Sequence, residues 1–106
     1  MSITDKNKVD FISTRDATGD VILTISDHLD WEDASSHILM LQDKLNLYIH
    51  FIESRQIISE YPQSQGKNVV IEIVSKYPYE DIGLQLITKA KSVLESMNVD
   101  LRYIVG

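Results

Sequence analysis

Between Asp30 and Ser54 the chain reads DWEDASSHILMLQDKLNLYIHFIES, and its apolar residues recur at one spacing. Trp31, Ala34, Ile38, Leu41, Leu45, Tyr48 and Ile52 are separated alternately by three and four positions, which places them on one face of an α-helix. In the same register the next apolar residues would fall near 55 or 56 and at 59, where the chain has Arg55, Gln56 and Ser59, so the spacing predicts a stop near Ser54. Asp30 stands where an N-cap belongs, and Glu32 and Asp33 set negative charge against the positive pole of the helix dipole. A long helix with one apolar stripe must lie against a flat apolar surface, and the rest of the chain has to supply it.

The surrounding segments read as strands. Lys8 to Thr14 alternates, Asp16, Thr18 and Gly19 supply turn chemistry, and Val21 to Ser26 is a β-branched run, which together predict an N-terminal hairpin. Asp27 to Leu29 connects it to the main helix. Beyond that helix, Ile57, Ile58 and Tyr61 fit a short strand better than a last frayed turn, and Pro62 and Gly66 close the segment either way. Asn68 to Ser75, NVVIEIVS, is the clearest strand and is expected at the centre of the sheet.

Asp81 can cap a second helix that turns Ile82, Leu86, Ile87, Ala90, Val93, Leu94 and Met97 toward the core. Asn98 is suited to the left-handed stop, and Val99 to Val105 makes the final strand. A strand, helix and strand joined at this length usually lay the two strands parallel. The expectation is an α+β fold: a mixed sheet of four or five strands with two helices on it, forming one domain over residues 1–106 with a flexible tail at 1–7. Met40, Leu47 and Phe51 draw a second apolar line on the main helix, to be buried by the second helix or, failing that, by a second copy of the chain.

Composition narrows the function classes. The chain has no cysteine, so disulfides, thiolate metal sites and thiol nucleophiles are excluded. Its polar start, MSITDKNK, and the lack of an apolar run long enough for a bilayer lead to the expectation of a cytoplasmic protein without a membrane segment. The net charge of -6 is regional: Asp16, Asp20, Asp27, Asp30, Glu32, Asp33 and Asp43 occur with no Lys or Arg among them. Such a lobe repels nucleic acid and steers a basic partner, while several of these acids also suit a turn or a helix start.

Catalytic patterns are missing. Asp27, His28, Asp30, Glu32, Asp33 and His37 crowd one stretch without the spacing of an EF-hand loop or a zincin helix, so no metal or cofactor is expected. His37 lies one turn after Asp33 and is expected to pair with it at the surface. There is no Gly-x-Ser-x-Gly elbow and no P-loop. Tyr61, Tyr77 and Tyr79 fall in loops, where tyrosines make good interface anchors but more often just cover the sheet edge.

The segments ISDHLDW, His37 and LQDKLNLYIHFIES resemble the signature of a small bacterial family of unknown function, over roughly Val9 to Tyr79. That resemblance implies no catalytic residues. In the family pattern a glycine usually follows FIES, where this chain has Arg55. In type, though not in motif, the chain is similar to bacterial immunity proteins that neutralise toxins. The leading expectation is a non-catalytic interaction module, an immunity protein binding a basic nuclease-type toxin through Asp27, Asp30, Glu32, Asp33, His37, Tyr77 and Tyr79. The alternative is a small enzyme or ligand-binding protein using Asp27, His28, Asp30 and His37.

Overall fold

The computed structural model describes residues 3, 4 and 8–106. The tail expected at residues 1–7 lies outside the described residues at 1, 2 and 5–7, whereas Ile3 is buried and donates its N–H to the Ser26 carbonyl at 2.9 Å. Strand β1 (Phe11–Thr14) turns back into β2 (Val21–Asp27) as an antiparallel hairpin. The turn is closed by the N–H groups of Thr18 and Gly19, which donate to the Arg15 carbonyl at 3.2 and 2.7 Å. Gly19 holds a φ of 77°, a left-handed conformation that costs glycine nothing because it has no Cβ.

After β2 come α1 (Ala34–Glu53), α2 (Gln56–Glu60) and a 3₁₀ turn (Pro62–Ser64). Strand β3 (Val69–Ser75), helix α3 (Asp81–Glu95) and strand β4 (Val99–Val105) complete the chain. The four strands form one mixed sheet in the order β1-β2-β3-β4, with β2, β3 and β4 parallel.

Alternation along the strands decides which face is buried. Leu23, Ile71 and Leu101 stand side by side in register, as do Ile25, Ile73 and Tyr103. This face packs under Leu41, Leu45 and Tyr48 of α1 and Ile87, Ala90 and Leu94 of α3 in one core. Each such aliphatic side chain contributes about 1.5 to 3 kcal/mol on leaving water. The opposite face has the row Phe11, Thr24, Glu72 and Arg102. There Phe11 is 58% exposed, and Arg15 reaches across to pair with Glu72 at 3.5 Å.

Several expectations need correcting. Residues 57–61 do not form a strand: Gln56–Glu60 is helical, because Arg55 takes a left-handed φ of 66° that ends α1 and lets the chain start a new turn. Among the described residues the sheet therefore has four strands and the fold three α-helices. Helix α1 begins at Ala34 rather than beside Asp30, and its N-cap is Asp33, whose Oδ1 accepts the Ser36 N–H at 3.2 Å. Trp31 consequently lies outside the helix, in the loop.

The buried stripe of α1 is His37, Leu41, Lys44, Leu45, Tyr48 and Phe51, rotated from the expected line so that Ile38 and Ile52 are only half-buried. Phe51 belongs to the chain's own core, with Met40 and Leu47 packed against it. On α3, Ile82 and Val93 face solvent. The stop after α3 is as expected, with Asn98 at φ 58°. Among the described residues no helix is long and apolar enough to cross a membrane.

Candidate functional site

Asp27 is the last residue of β2, and strand alternation turns its side chain to the helix-covered face with Leu23 and Ile25. At this end of the sheet the first turn of α1 brings in His37, and the loop after β3 brings in Tyr79. Oδ2 of Asp27 lies 2.6 Å from Nε2 of His37 and also accepts a very short hydrogen bond from the Tyr79 hydroxyl. Oδ1 accepts the Leu29 N–H at 3.1 Å. The second ring nitrogen of His37, Nδ1, lies 3.0 Å from the Asp30 carbonyl.

Both imidazole nitrogens therefore face oxygen. With Nδ1–H donated to the carbonyl, Nε2 and Asp27 must share a further proton between them. Asp27 and His37 are each 1% exposed and Tyr79 7%, so the cluster lies beneath the surface. Burial, and then the hydrogen bond to Asp27, pushes the Tyr79 hydroxyl far above its ordinary pKa.

Aromatic rings close the cluster. Trp31 stacks on His37 with centroids 3.9 Å apart, and Tyr79 meets Trp31 edge-on at 5.2 Å. Tyr103 of β4 lies 4.6 Å from the Tyr79 ring, and its hydroxyl oxygen accepts the Tyr79 N–H at 2.6 Å. Gly83 of α3 makes room for this stack, since a Cβ there would stand 2.8 Å from the Trp31 ring. The cluster thus locks the ends of β2 and β4 to the starts of α1 and α3.

A second buried polar group lies further along α1. Lys44 is fully buried, with Nζ 2.7 Å from Oδ1 of Asp10 and donating to the Lys8 carbonyl at 2.6 Å. The Tyr48 hydroxyl donates to the Thr24 carbonyl at 2.5 Å and accepts the Asp10 N–H at 2.8 Å. Burial raises the pKa of that hydroxyl as well. Asp10 also accepts the Ser26 N–H at 3.2 Å, so the segment leading into β1 is tied to both α1 and β2.

Of the residues singled out from sequence, Asp27, His37 and Tyr79 meet in one buried cluster. His37 pairs with Asp27 rather than with Asp33 at the surface, because the helix starts at Ala34 and turns this first-turn side chain inward. Asp30, Glu32 and Asp33 are exposed in the loop above, and Tyr77, in the loop after β3, is 39% exposed with Lys76 Nζ 5.5 Å from its ring. His28 is exposed and separate from the cluster's hydrogen bonds. Sequence reasoning missed Lys44, although its spacing from Leu41, Leu45 and Tyr48 already placed it on the buried face. No group of three or more His, Asp or Glu among the described residues is gathered as a metal would require.

The site is a sealed polar cluster beneath an exposed acidic loop, carried on a small α+β domain. The chain belongs to a family of unknown function (DUF6572), whose model matches residues 1–106. No curated protein and no solved structure matches the chain.

Proposed function

We propose that this chain is a non-catalytic protein–protein interaction module, and specifically an immunity protein that blocks the nucleic-acid site of a basic nuclease-type toxin with its acidic loop. The observation that carries this reading is the way two of the loop's acids, Asp30 and Asp33, are held. Asp30 Oδ1 accepts the Glu32 N–H at 3.0 Å, Asp33 Oδ1 accepts the Ser36 N–H at 3.2 Å, and the Asp30 carbonyl is fixed by His37. Charges held in place before binding lose little freedom on docking, and a nuclease cleft is necessarily positive. The bases bounding the acidic stretch are both engaged, Arg15 with Glu72 and Lys44 with Asp10. A reactive or ligand-binding role for Asp27, His28, Asp30 and His37 has less support, since Asp27 and His37 are buried and use their polar atoms on each other.

The test is co-expression with the toxin encoded beside the gene, together with binding kinetics. The native chain should rescue cells from that toxin and fail against unrelated ones. Replacing Asp30, Glu32 and Asp33 by Asn, Gln and Asn, with buried Asp27 left in place, should slow association about tenfold at low salt and much less at high salt. Association at the parent rate, or no rescue from a neighbouring toxin, would remove the reading.

A further inference from the structure

Among the described residues strand β4 is hydrogen-bonded only on its β3 side, which leaves a seven-residue parallel edge open. Natural sheets blunt such edges with short strands, Pro or charged side chains, Lys above all, and the other edge, β1, has four residues. Strand β4, VDLRYIV, has neither Pro nor Lys. On its helix-free face stand Asp100 and Arg102, both exposed, two positions apart and of opposite charge. Among the described residues neither makes an ion pair: Arg102 stands opposite Glu72 in register, but the Glu72 carboxylate is paired with Arg15. A groove of about 560 Å³ lies at the start of this strand, lined by residues 98–102, by Lys91 and Glu95 of α3 and by Asn68 and Val69 at the start of β3.

We infer that β4 is the seam of a two-fold symmetric homodimer, in which the β4 strands of two copies pair antiparallel about Leu101. The charge pattern favours a second copy as the occupant and, among axes at residues 100 to 102, selects the register. With the two-fold axis through Leu101 and perpendicular to the sheet, Asp100 stands opposite Arg102 of the partner subunit and Arg102 opposite the partner's Asp100. Leu101 meets the partner's Leu101, and Val99 meets the partner's Tyr103. Moving the axis to Arg102 sets Arg against Arg, and moving it to Asp100 sets Asp against Asp, each a repulsive cross-strand contact. A strand whose opposite charges flank its midpoint is complementary to an inverted copy of itself, which is what an isologous contact requires. The seam is separated from β2 and the acidic loop by β3, so it stands apart from the toxin reading and leaves that loop free in both copies.

The experiment is sedimentation velocity on the full chain across a concentration series, with Asp100→Arg, Arg102→Asp and the double exchange. The native chain should be dimeric at micromolar to tens-of-micromolar concentration. Each single change should weaken the dimer at least about tenfold, and the double exchange should restore it, since it returns opposite charges to facing positions. Thermal melts of dilute samples check that the fold survives. Because Asp at 102 would stand opposite Glu72, hydrogen exchange on the native chain supplies a second measurement: amides of residues 99–105 should gain protection as concentration rises. A chain that stays monomeric at about 0.5 mM, a dimer indifferent to both single changes, a double variant as weak as the singles, or β4 protection independent of concentration would each overturn the inference.

Discussion

His37 Nε2 lies 2.6 Å from Asp27 Oδ2 across the junction of α1 and β2, with both side chains shut away from water. A buried pair of this kind is weak evidence of net stabilisation when whole, but removing one partner strands the other, at a cost of about 3 to 5 kcal/mol. Asp27→Ala should therefore lower the unfolding free energy by about that amount in urea melts. Tyr79→Phe, which deletes one hydrogen bond to the same carboxylate, should cost about 1.5 to 3 kcal/mol. An unfolding midpoint unchanged by Asp27→Ala would show that the cluster does not hold these elements together.

Tyr48 and Tyr79 have pKa values raised in the folded state, in each case first by burial. A raised folded pKa means the neutral form is favoured, so their stabilisation is complete below the unfolded tyrosine value of about 10 and is lost as pH climbs above it. Of the five tyrosines, these two should resist ionisation until the chain unfolds in alkali. Tyrosinate absorbance followed alongside circular dichroism tests this, and ionisation of all five before any loss of structure would refute it.

Gly83 sits in helix α3, where alanine would ordinarily add about 1 kcal/mol of helix propensity. Here the added Cβ would lie 2.8 Å from the Trp31 ring and 3.0 Å from that of Tyr79. Gly83→Ala should instead destabilise by about 1 to 3 kcal/mol. The fluorescence of Trp31, the sole tryptophan, should shift as the ring is displaced.

Arg55 holds a φ of 66° between α1 and α2, a conformation that costs a residue with a Cβ about 1 to 2 kcal/mol. Its side chain is exposed. Arg55→Gly should stabilise the chain by about 0.5 to 1 kcal/mol, after the entropy glycine loses on folding is set against the relieved strain. Thermal melts of the pair would show it, and a lower melting temperature for the glycine variant would mean that Arg55 makes a compensating contact.

Much of this fold was legible because period and punctuation agreed. Asn68 to Ser75 and Val99 to Val105 alternate cleanly, and Asn98 marks the stop between α3 and β4. What could not be read was long-range geometry. Asp27, His37 and Tyr79 look like surface acid, surface base and loop anchor when only near neighbours in sequence are considered, yet folding carries Tyr79 back onto Asp27. The stripe on α1 is rotated for a related reason: the spacing of Lys44 sets it on the buried face, but its partner there, Asp10, comes from the segment before β1. Helix α2 is hard to read because its two adjacent isoleucines suit either structure, and the left-handed residue that opens it is Arg55, without the glycine that would mark it.

The parallel pairing also has a consequence for how the chain reaches this structure. Val21 must find Val69, whereas Val69 need only find Val99, so joining β3 to β4 closes the shorter loop and sacrifices less chain entropy. Of the two parallel pairings, β3-α3-β4 should therefore form first, with β2 and α1 docking onto it afterwards. Its late-arriving partner strand is β2, and the Asp27 side chain at the tip of that strand meets Tyr79 only once docking is complete. The polar cluster, sealed in the finished protein, would then act as a latch that slows departure from the native state while leaving the rate of arrival almost untouched.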